Sequence, residues 1–265
     1  MGKGRATQER ERLRAQNLIY APHTEMLLSL SGIKPGMSVI DIGCGIGDMT
    51  IQIARMVGPT GTVVGIDMDS DALDVAERQA SGLRNVTFQQ ARIPDLELDH
   101  QADALVGRLV VMHLKDAAQD IEKLRSTVRP GGTIALLDFN VQRCRTLPHM
   151  PLTNQCVDWC IRALLAGGSN PAVGDQLYSI LRAAGLNTPR LAVSVPTATA
   201  SDLSALAVLA ETVITLLPVI ESFGLATREE IDPNTLIHRL QNEVLETGGI
   251  AFSPELVGAW ATVPE

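Results

Sequence analysis

The chain has 265 residues, which at roughly 150 per domain allows one large domain or two small ones. Hydrophobic residues make up 45% and charged residues 20%, enough to bury a sizeable core and too apolar for a disordered chain. A net charge of −8 and only 3% aromatic residues argue against a nucleic-acid surface or a base-stacking platform.

The N-terminus, MGKGRATQERERLR, has no apolar segment behind its charges and does not read as a secretory signal. Apolar runs all break short of about 18 residues, which predicts no membrane-spanning helix. Four cysteines are too few for a disulfide scaffold and fit a reducing cytoplasm. Residues 5–19 read as a helix with charge on most faces. Five basic and two acidic residues fall in the first fourteen, and so poorly amphipathic a helix suggests an arm that embraces a second subunit, hence a homodimer. A short helix at 24–31 is expected after Pro22. Together these make an N-terminal arm over 1–34.

From residue 35 the pattern alternates. Strands are expected at 38–42, 62–66, 86–90, 103–107 and 132–138, and helices at 47–57, 70–81, 116–128 and 174–184. Pro130-Gly131-Gly132 reads as the turn that delivers the fifth strand. Further strands fit 190–196 and 256–262. Strands separated by helices indicate an α/β fold, a mostly parallel sheet covered on both faces. Two stretches interrupt the rhythm, 140–172 and 200–248. The second reads as helices at 201–222 and 233–246. Both are expected to cover the carboxyl edge of the sheet as helical lids, where open α/β folds bind ligands.

The segment VIDIGCGIGDMT, 39–50, places Gly43, Gly45 and Gly47 between a strand and a helix. Glycines there allow a tight turn and close approach of a ligand. Asp67 ends the next strand, twenty residues after Gly47, a spacing that suits ribose hydroxyls. Such a loop alone fits NAD, FAD or S-adenosylmethionine. Asp41 distinguishes them. A carboxylate two residues before the first glycine repels a diphosphate and attracts the ammonium and sulfonium of S-adenosylmethionine.

The run D-x-G-x-G-x-G with an acid closing the second strand resembles the class I S-adenosylmethionine-dependent methyltransferases. The resemblance is strong over 35–140 and implies a Rossmann-like sheet of seven strands. It places Gly43, Cys44 and Gly45 along the methionine part of the cofactor, Asp67 on the ribose, and Met68 against the adenine. Ala91 and Arg92 fall at the adenine edge, where the family commonly has Asp instead of Arg92. Arginine cannot accept a hydrogen bond, so backbone or stacking must serve there. In ALVGRLVVMHLKD, Arg108 and Val110 would lie by the methionine part and His113 at the pocket floor, contacting cofactor and substrate. The wider spacing, with GRLVVMHL, RPGG, VDWCIRALLAGG and the tail LVGAW, is similar to bacterial methyltransferases of secondary metabolism. That group includes enzymes acting on indole-derived cyclic dipeptides. An indole acceptor methylated at carbon or nitrogen is therefore expected. The alternatives are an O-methyltransferase of a phenol, a non-catalytic cofactor-binding protein, and an NAD-dependent dehydrogenase.

Methyl transfer mainly requires alignment and exclusion of water, and a base where the nucleophile carries a proton. Three candidate catalytic residues stand out. Asp158 lies at the edge of an apolar stripe formed by Val157, Cys160, Ile161, Leu164 and Leu165; the competing reading is an exposed ion pair with Arg162. His238 points away from the stripe of Leu236, Ile237, Leu240 and Val244. It either faces solvent or pairs with Asp158 across the pocket. Tyr20 either bonds cofactor or substrate, or packs as an interface aromatic. Trp159 is a candidate for stacking on a planar substrate. His23 is a candidate for serving the cofactor, and His149 has no assigned role. Cys156 and Cys160 lack a second ligand pair, so no metal is expected. With Arg108-Leu109-Val110 after the fourth strand, the acidic residues of the magnesium-dependent catechol enzymes are missing as well.

Overall fold

The computed structural model describes residues 3–93, 96 and 100–265, and side chains from residue 12 onward. The charged side chains of the first eleven residues, from which a homodimer is inferred, lie outside the described residues. The chain opens with helix α1 (Lys3–Leu30), which runs unbroken through Pro22 where two helices were expected. Then follow β1 (Ser38–Ile42), α2 (Asp48–Val57), β2 (Thr62–Asp67), α3 (Ser70–Gln79), β3 (Val86–Gln90), β4 (Ala102–Arg108), α4 (Ala117–Leu124) and β5 (Val128–Asn140). After β6 (Arg145–Leu147) come α5 (Pro151–Ala166), α6 (Leu177–Ala183), β7 (Arg190–Ser194), β8 (Thr197–Ala198) and α7 (Ser204–Ser222). The chain closes with α8 (Arg228–Ile231), α9 (Leu236–Thr247), β9 (Ile250–Phe252) and β10 (Glu255–Thr262).

Two compact units result. One comprises Ala21–Asp138, Val173–Ser194 and Leu256–Glu265. Seven strands form its sheet, in the order β3-β2-β1-β4-β5-β10-β7. β1 pairs in parallel with β2 and β4, β2 with β3, and β4 with β5, whereas β10 and β7 are antiparallel. The inner strands β1 and β4 are mostly buried apolar runs, whereas the edge strands β3 and β7 are largely exposed. Ile40, Ile42, Leu105, Ile134 and Leu136 are buried with Leu177, Leu181 and Val257 in one core. Local signals agree with this packing. Asp69 caps α3 by accepting from Asp71 N and Ala72 N, and Asp116 caps α4 by accepting from Gln119 N. Chain order reverses direction between β1 and β4, and such a switch point opens a crevice at the carboxyl ends of those strands. The Pro130-Gly131-Gly132 segment does not precede β5 but lies within it. Gly131 has φ 74°, and the β4–β5 register shifts between Ala102 and Ala104.

The other unit comprises Met1–Tyr20, Phe139–Ala172 and Val195–Glu255. Its core joins α5, α7 and α9, and a three-stranded sheet has the order β6-β9-β8. The stripe on α9 is as expected, with Leu236, Leu240 and Val244 buried. The stripe on α5 is not. Thr153, Cys156, Trp159, Cys160 and Ala163 are buried, while Leu165 is exposed. Small residues on that face let neighbouring helices approach, and Trp159 fills the space a leucine row would have taken. α7 is 19 residues long. It is one described helix long and apolar enough to cross a membrane by length and composition. Glu211 and scattered threonines break its apolar runs without making it polar. In this fold one face, Leu206, Ala210, Val213, Leu217 and Ile220, is buried in the unit's core.

The Glu243 carboxylate on α9 accepts from Leu152 N and Thr153 N at 2.8 Å each and from Thr153 Oγ1 at 2.7 Å. It neutralises the positive end of α5 and ties the two helices together. Glu243→Ala should lower stability by about 1–3 kcal/mol in denaturant unfolding. Glu243→Gln should lower it less, since one oxygen still accepts.

Candidate functional site

The turn after β1 is built from glycines with left-handed backbone: φ is 65° at Gly43, 53° at Gly45 and 85° at Gly47. Gly43 and Gly45 serve different ends. A Cβ on Gly43 would sit 2.5 Å from Val110 Cγ2, so that glycine admits the loop after β4. A Cβ on Gly45 would meet no atom within 4 Å. The Gly45 backbone therefore faces open space that a ligand can enter. Asp67 braces the turn. Its Oδ2 accepts from Gly45 N at 2.8 Å and its Oδ1 from Asp69 N at 3.0 Å. Each oxygen keeps a second lone pair for a hydroxyl donor. Cys44 between the glycines is buried. Burial, then the neighbouring Asp41 and Asp67, push its thiol far above the ordinary range, so it is no nucleophile.

Asp41 is 0% exposed. Its Oδ2 accepts from Thr50 Oγ1 at 2.6 Å, whereas its Oδ1 is buried with no partner. Burial raises the carboxyl from 3.8 to about 7, against the opposing pull of Thr50 and Arg108. Arg108, at the end of β4, is half-buried. Its Nη1 donates to Thr24 Oγ1 at 2.9 Å. Desolvation lowers its pKa while Asp41 and Asp48 hold it charged. The unsatisfied acceptor on Asp41 fits the ammonium of S-adenosylmethionine; a diphosphate has no proton to offer it. The next residue, Leu109, has φ 58°, a conformation a leucine adopts only when its surroundings impose it. Leu109 N donates to Leu137 O at 2.8 Å, and Val110 wedges against Gly43 and Gly107.

Along the β2 side, Met68 is a large apolar side chain left 66% exposed, available to cover a flat ring. Ala91 is half-buried and its N donates to Asp67 O at 3.0 Å; Arg92 is exposed. His113 corrects an expectation. It closes a 3₁₀ turn (Val111–His113) with its side chain exposed, so it is not a pocket floor. His23 bonds Ser194 Oγ through Nδ1 at 2.5 Å, and burial lowers its pKa. His149 is exposed.

The candidate bases are not brought together. Asp158 has a 59% exposed side chain and pairs with Arg162 at 3.6 Å, four residues along α5. His238 is exposed on α9, and no hydrogen bond or ion pair joins it to Asp158 among the described residues. The buried faces of the two helices, Thr153, Cys156, Trp159, Cys160 and Ala163 on α5 and Leu236, Leu240 and Val244 on α9, exclude these two polar residues. Tyr20 is buried with its hydroxyl donating to Pro254 O at 2.9 Å and its ring tilted on Phe139 at 4.6 Å. Its single proton is committed, and burial raises its pKa well above 10, so it is neither a free donor nor a base. Trp159 is a core residue whose face lines a shallow pocket with Gln155, Leu225, Ala226 and Glu230. Sequence reasoning missed Asp138 and Asn140 at the end of β5, both fully buried. Polar residues closing the apolar run TIALLDFN were the signal. Asp138 Oδ2 accepts from Met112 N at 3.2 Å and so anchors the loop after β4. Among the described residues no cluster of three or more His, Cys, Asp or Glu side chains is placed to hold a metal ion.

The profile of a family described as a methyltransferase domain matches residues 33–185. The chain belongs to the class I S-adenosylmethionine-dependent methyltransferases, and S-adenosylmethionine is its cofactor. It is 33% identical over 129 residues to a 2-phytyl-1,4-naphthoquinone methyltransferase of Trichormus variabilis, covering 46% of this chain and 56% of that protein. It is 30% identical over 156 residues to a ubiquinone/menaquinone biosynthesis C-methyltransferase of Hahella chejuensis, covering 57% and 60%. The chain thus spans little more than half the length of these relatives. A solved methyltransferase of Aquifex aeolicus, described as S-adenosylmethionine-dependent, matches with TM-score 0.51 at 21% identity, over 68% of this chain and 90% of that one.

Asp41→Asn should reduce S-adenosylhomocysteine affinity at least about tenfold in calorimetric titration at pH 8, because the neutral amide does not attract an ammonium. The same variant should make the ligand-free protein more stable at pH 8. The folded pKa of Asp41 lies near 7 and the unfolded one near 3.8, so its burial cost is fully present above pH 7. That cost shrinks as pH falls towards 3.8, and the stability gap between variant and parent should close over that range. His238→Ala and Asp158→Asn should each leave turnover within about twofold, as exposed side chains contribute little.

Proposed function

We propose that this methyltransferase acts on a small, planar, oxygen-bearing aromatic ring of the quinol type, at a ring carbon. The cofactor end rests on one observation, the buried half-satisfied carboxylate of Asp41 at a glycine turn. In this reading Asp41 and Arg108 hold the ammonium and carboxylate of the methionine part. The backbone of Gly43, Cys44 and Gly45 lies along it. Asp67 takes the ribose hydroxyls with its remaining lone pairs, and Met68, Ala91 and Arg92 border the adenine. When bound, the cofactor supplies an electrophilic methyl group on a good leaving group. The chain's part is to align the acceptor and exclude water.

The acceptor class is supported by the two relatives, whose names specify a naphthoquinone and the ubiquinone/menaquinone pathway. Neither relative's name specifies an indole or a cyclic dipeptide. Asp158, His238 and Tyr20 are not assigned as bases, given their exposure or their committed hydroxyl.

Thermal-shift titration with S-adenosylhomocysteine should raise Tm by several degrees, and NAD should leave it unchanged. Methyl-labelled S-adenosylmethionine should then be offered with 1,4-dihydroxynaphthalene, a simple phenol and a tryptophan-derived cyclic dipeptide. Label on a ring carbon of the dihydroxynaphthalene is the expected result. Label on the phenol oxygen or the indole instead would reassign the acceptor, and label on none would favour a non-catalytic cofactor-binding protein.

A further inference from the structure

We propose that Thr24 is a positioning residue for the cofactor, its hydroxyl setting the guanidinium of Arg108 to receive the carboxylate of the cofactor's methionine part. This rests on the reading of Arg108 given above and adds the group that orients it. From Ala21 onward, α1 belongs to the same compact unit as Asp41 and Arg108. Thr24, Leu27 and Leu28, three and four residues apart, are buried on one face of that stretch. Leu27 packs over β10, where a Cβ on Gly258 would lie 3.2 Å from Leu27 Cδ2. Gln52 Nε2 on α2 donates to Ala21 O at 2.7 Å, and His23 bonds Ser194 at the end of β7. These contacts hold the helix against the sheet and bring Thr24 Oγ1 within 2.9 Å of Arg108 Nη1.

A guanidinium has donors only, so the Thr24 oxygen accepts in this bond. The N–H groups of an arginine lie in one plane, and a bond to one of them restricts how that plane is set. A plane set in advance meets a carboxylate with two parallel bonds and loses less freedom when it does so. The hydroxyl suits the task because it is neutral. An acid at position 24 would also orient the guanidinium, but it would pair with the charge that the ligand's carboxylate needs. A third leucine beside Leu27 and Leu28 would pack equally well and orient nothing. A hydroxyl on this buried face costs desolvation, and its bond to a charged group offsets that cost.

Three variants separate this role from packing. Thr24→Val keeps the volume and removes the acceptor, Thr24→Ala removes both, and Thr24→Ser keeps the hydroxyl. Calorimetry on the full chain at pH 8 compares S-adenosylhomocysteine with its decarboxylated form, which retains the ammonium and lacks the carboxylate. The parent should bind S-adenosylhomocysteine about tenfold more tightly or better. The valine and alanine variants should each lose about tenfold in affinity for S-adenosylhomocysteine and stay within about twofold for the decarboxylated form. That retained affinity also shows that they are folded. The serine variant should keep the parent's ratio within about threefold. Equal losses for both ligands mark a structural role and overturn the proposal, as does a serine variant that behaves like the valine one. A parent that discriminates, with valine and alanine variants that discriminate as well, overturns the role of Thr24 and leaves Arg108 on the carboxylate. A parent that binds the two ligands equally overturns the reading of Arg108 and the proposal with it.

Discussion

A carboxylate taken fully out of water at the end of a β-strand is costly, and most of the cofactor end of this protein follows from keeping Asp41 there. Burial alone would leave the group neutral. Thr50 supplies one short hydrogen bond, and the guanidinium of Arg108 supplies a charge. Neither reaches Oδ1. Above about pH 7 the site thus holds a negative group whose remaining demand is for a donor, and a cationic ligand satisfies it where an anionic one is repelled. Arg108 is subject to the converse constraint. Its own burial is tolerable because Asp41, Asp48 and Thr24 surround it.

The same constraint explains the backbone around it. Bringing the end of β4 close enough for Arg108 to face Asp41 leaves no room for side chains between the two turns. Gly43 and Gly107 provide the space, and Val110 fills it. Leu109 absorbs the remaining mismatch in a left-handed conformation. Asp67 then locks the glycine turn from the other side by accepting Gly45 N. Three short loops are held against one another by hydrogen bonds and van der Waals contact, before any ligand is considered.

Much of this was legible because it is local. A carboxylate, three glycines and a second acid at fixed spacing have few structural solutions, and the strands on either side are plain apolar runs. Helix periodicity was enough on α9, where large apolar residues mark the buried face. It failed on α5, where the buried face is made of Thr153, Cys156, Cys160 and Ala163 around Trp159. Hydrophobic size misreads a helix whose inward face is selected for close approach. The pairing of Asp158 with His238 inherited that error in phase. Tyr20 failed for another reason: a buried hydroxyl takes whatever carbonyl is near, and Pro254 lies 234 residues along the chain.

Buried groups whose bonds are complete explain structure, and those whose bonds are incomplete point to ligands. Glu243, Asp138 and Tyr20 belong to the first kind, each with its bond made to backbone. Asp41 Oδ1 and Asn140 Nδ2 belong to the second. One is an acceptor beside a glycine turn and the other a donor at the end of β5. An acceptor suits the cationic end of the cofactor.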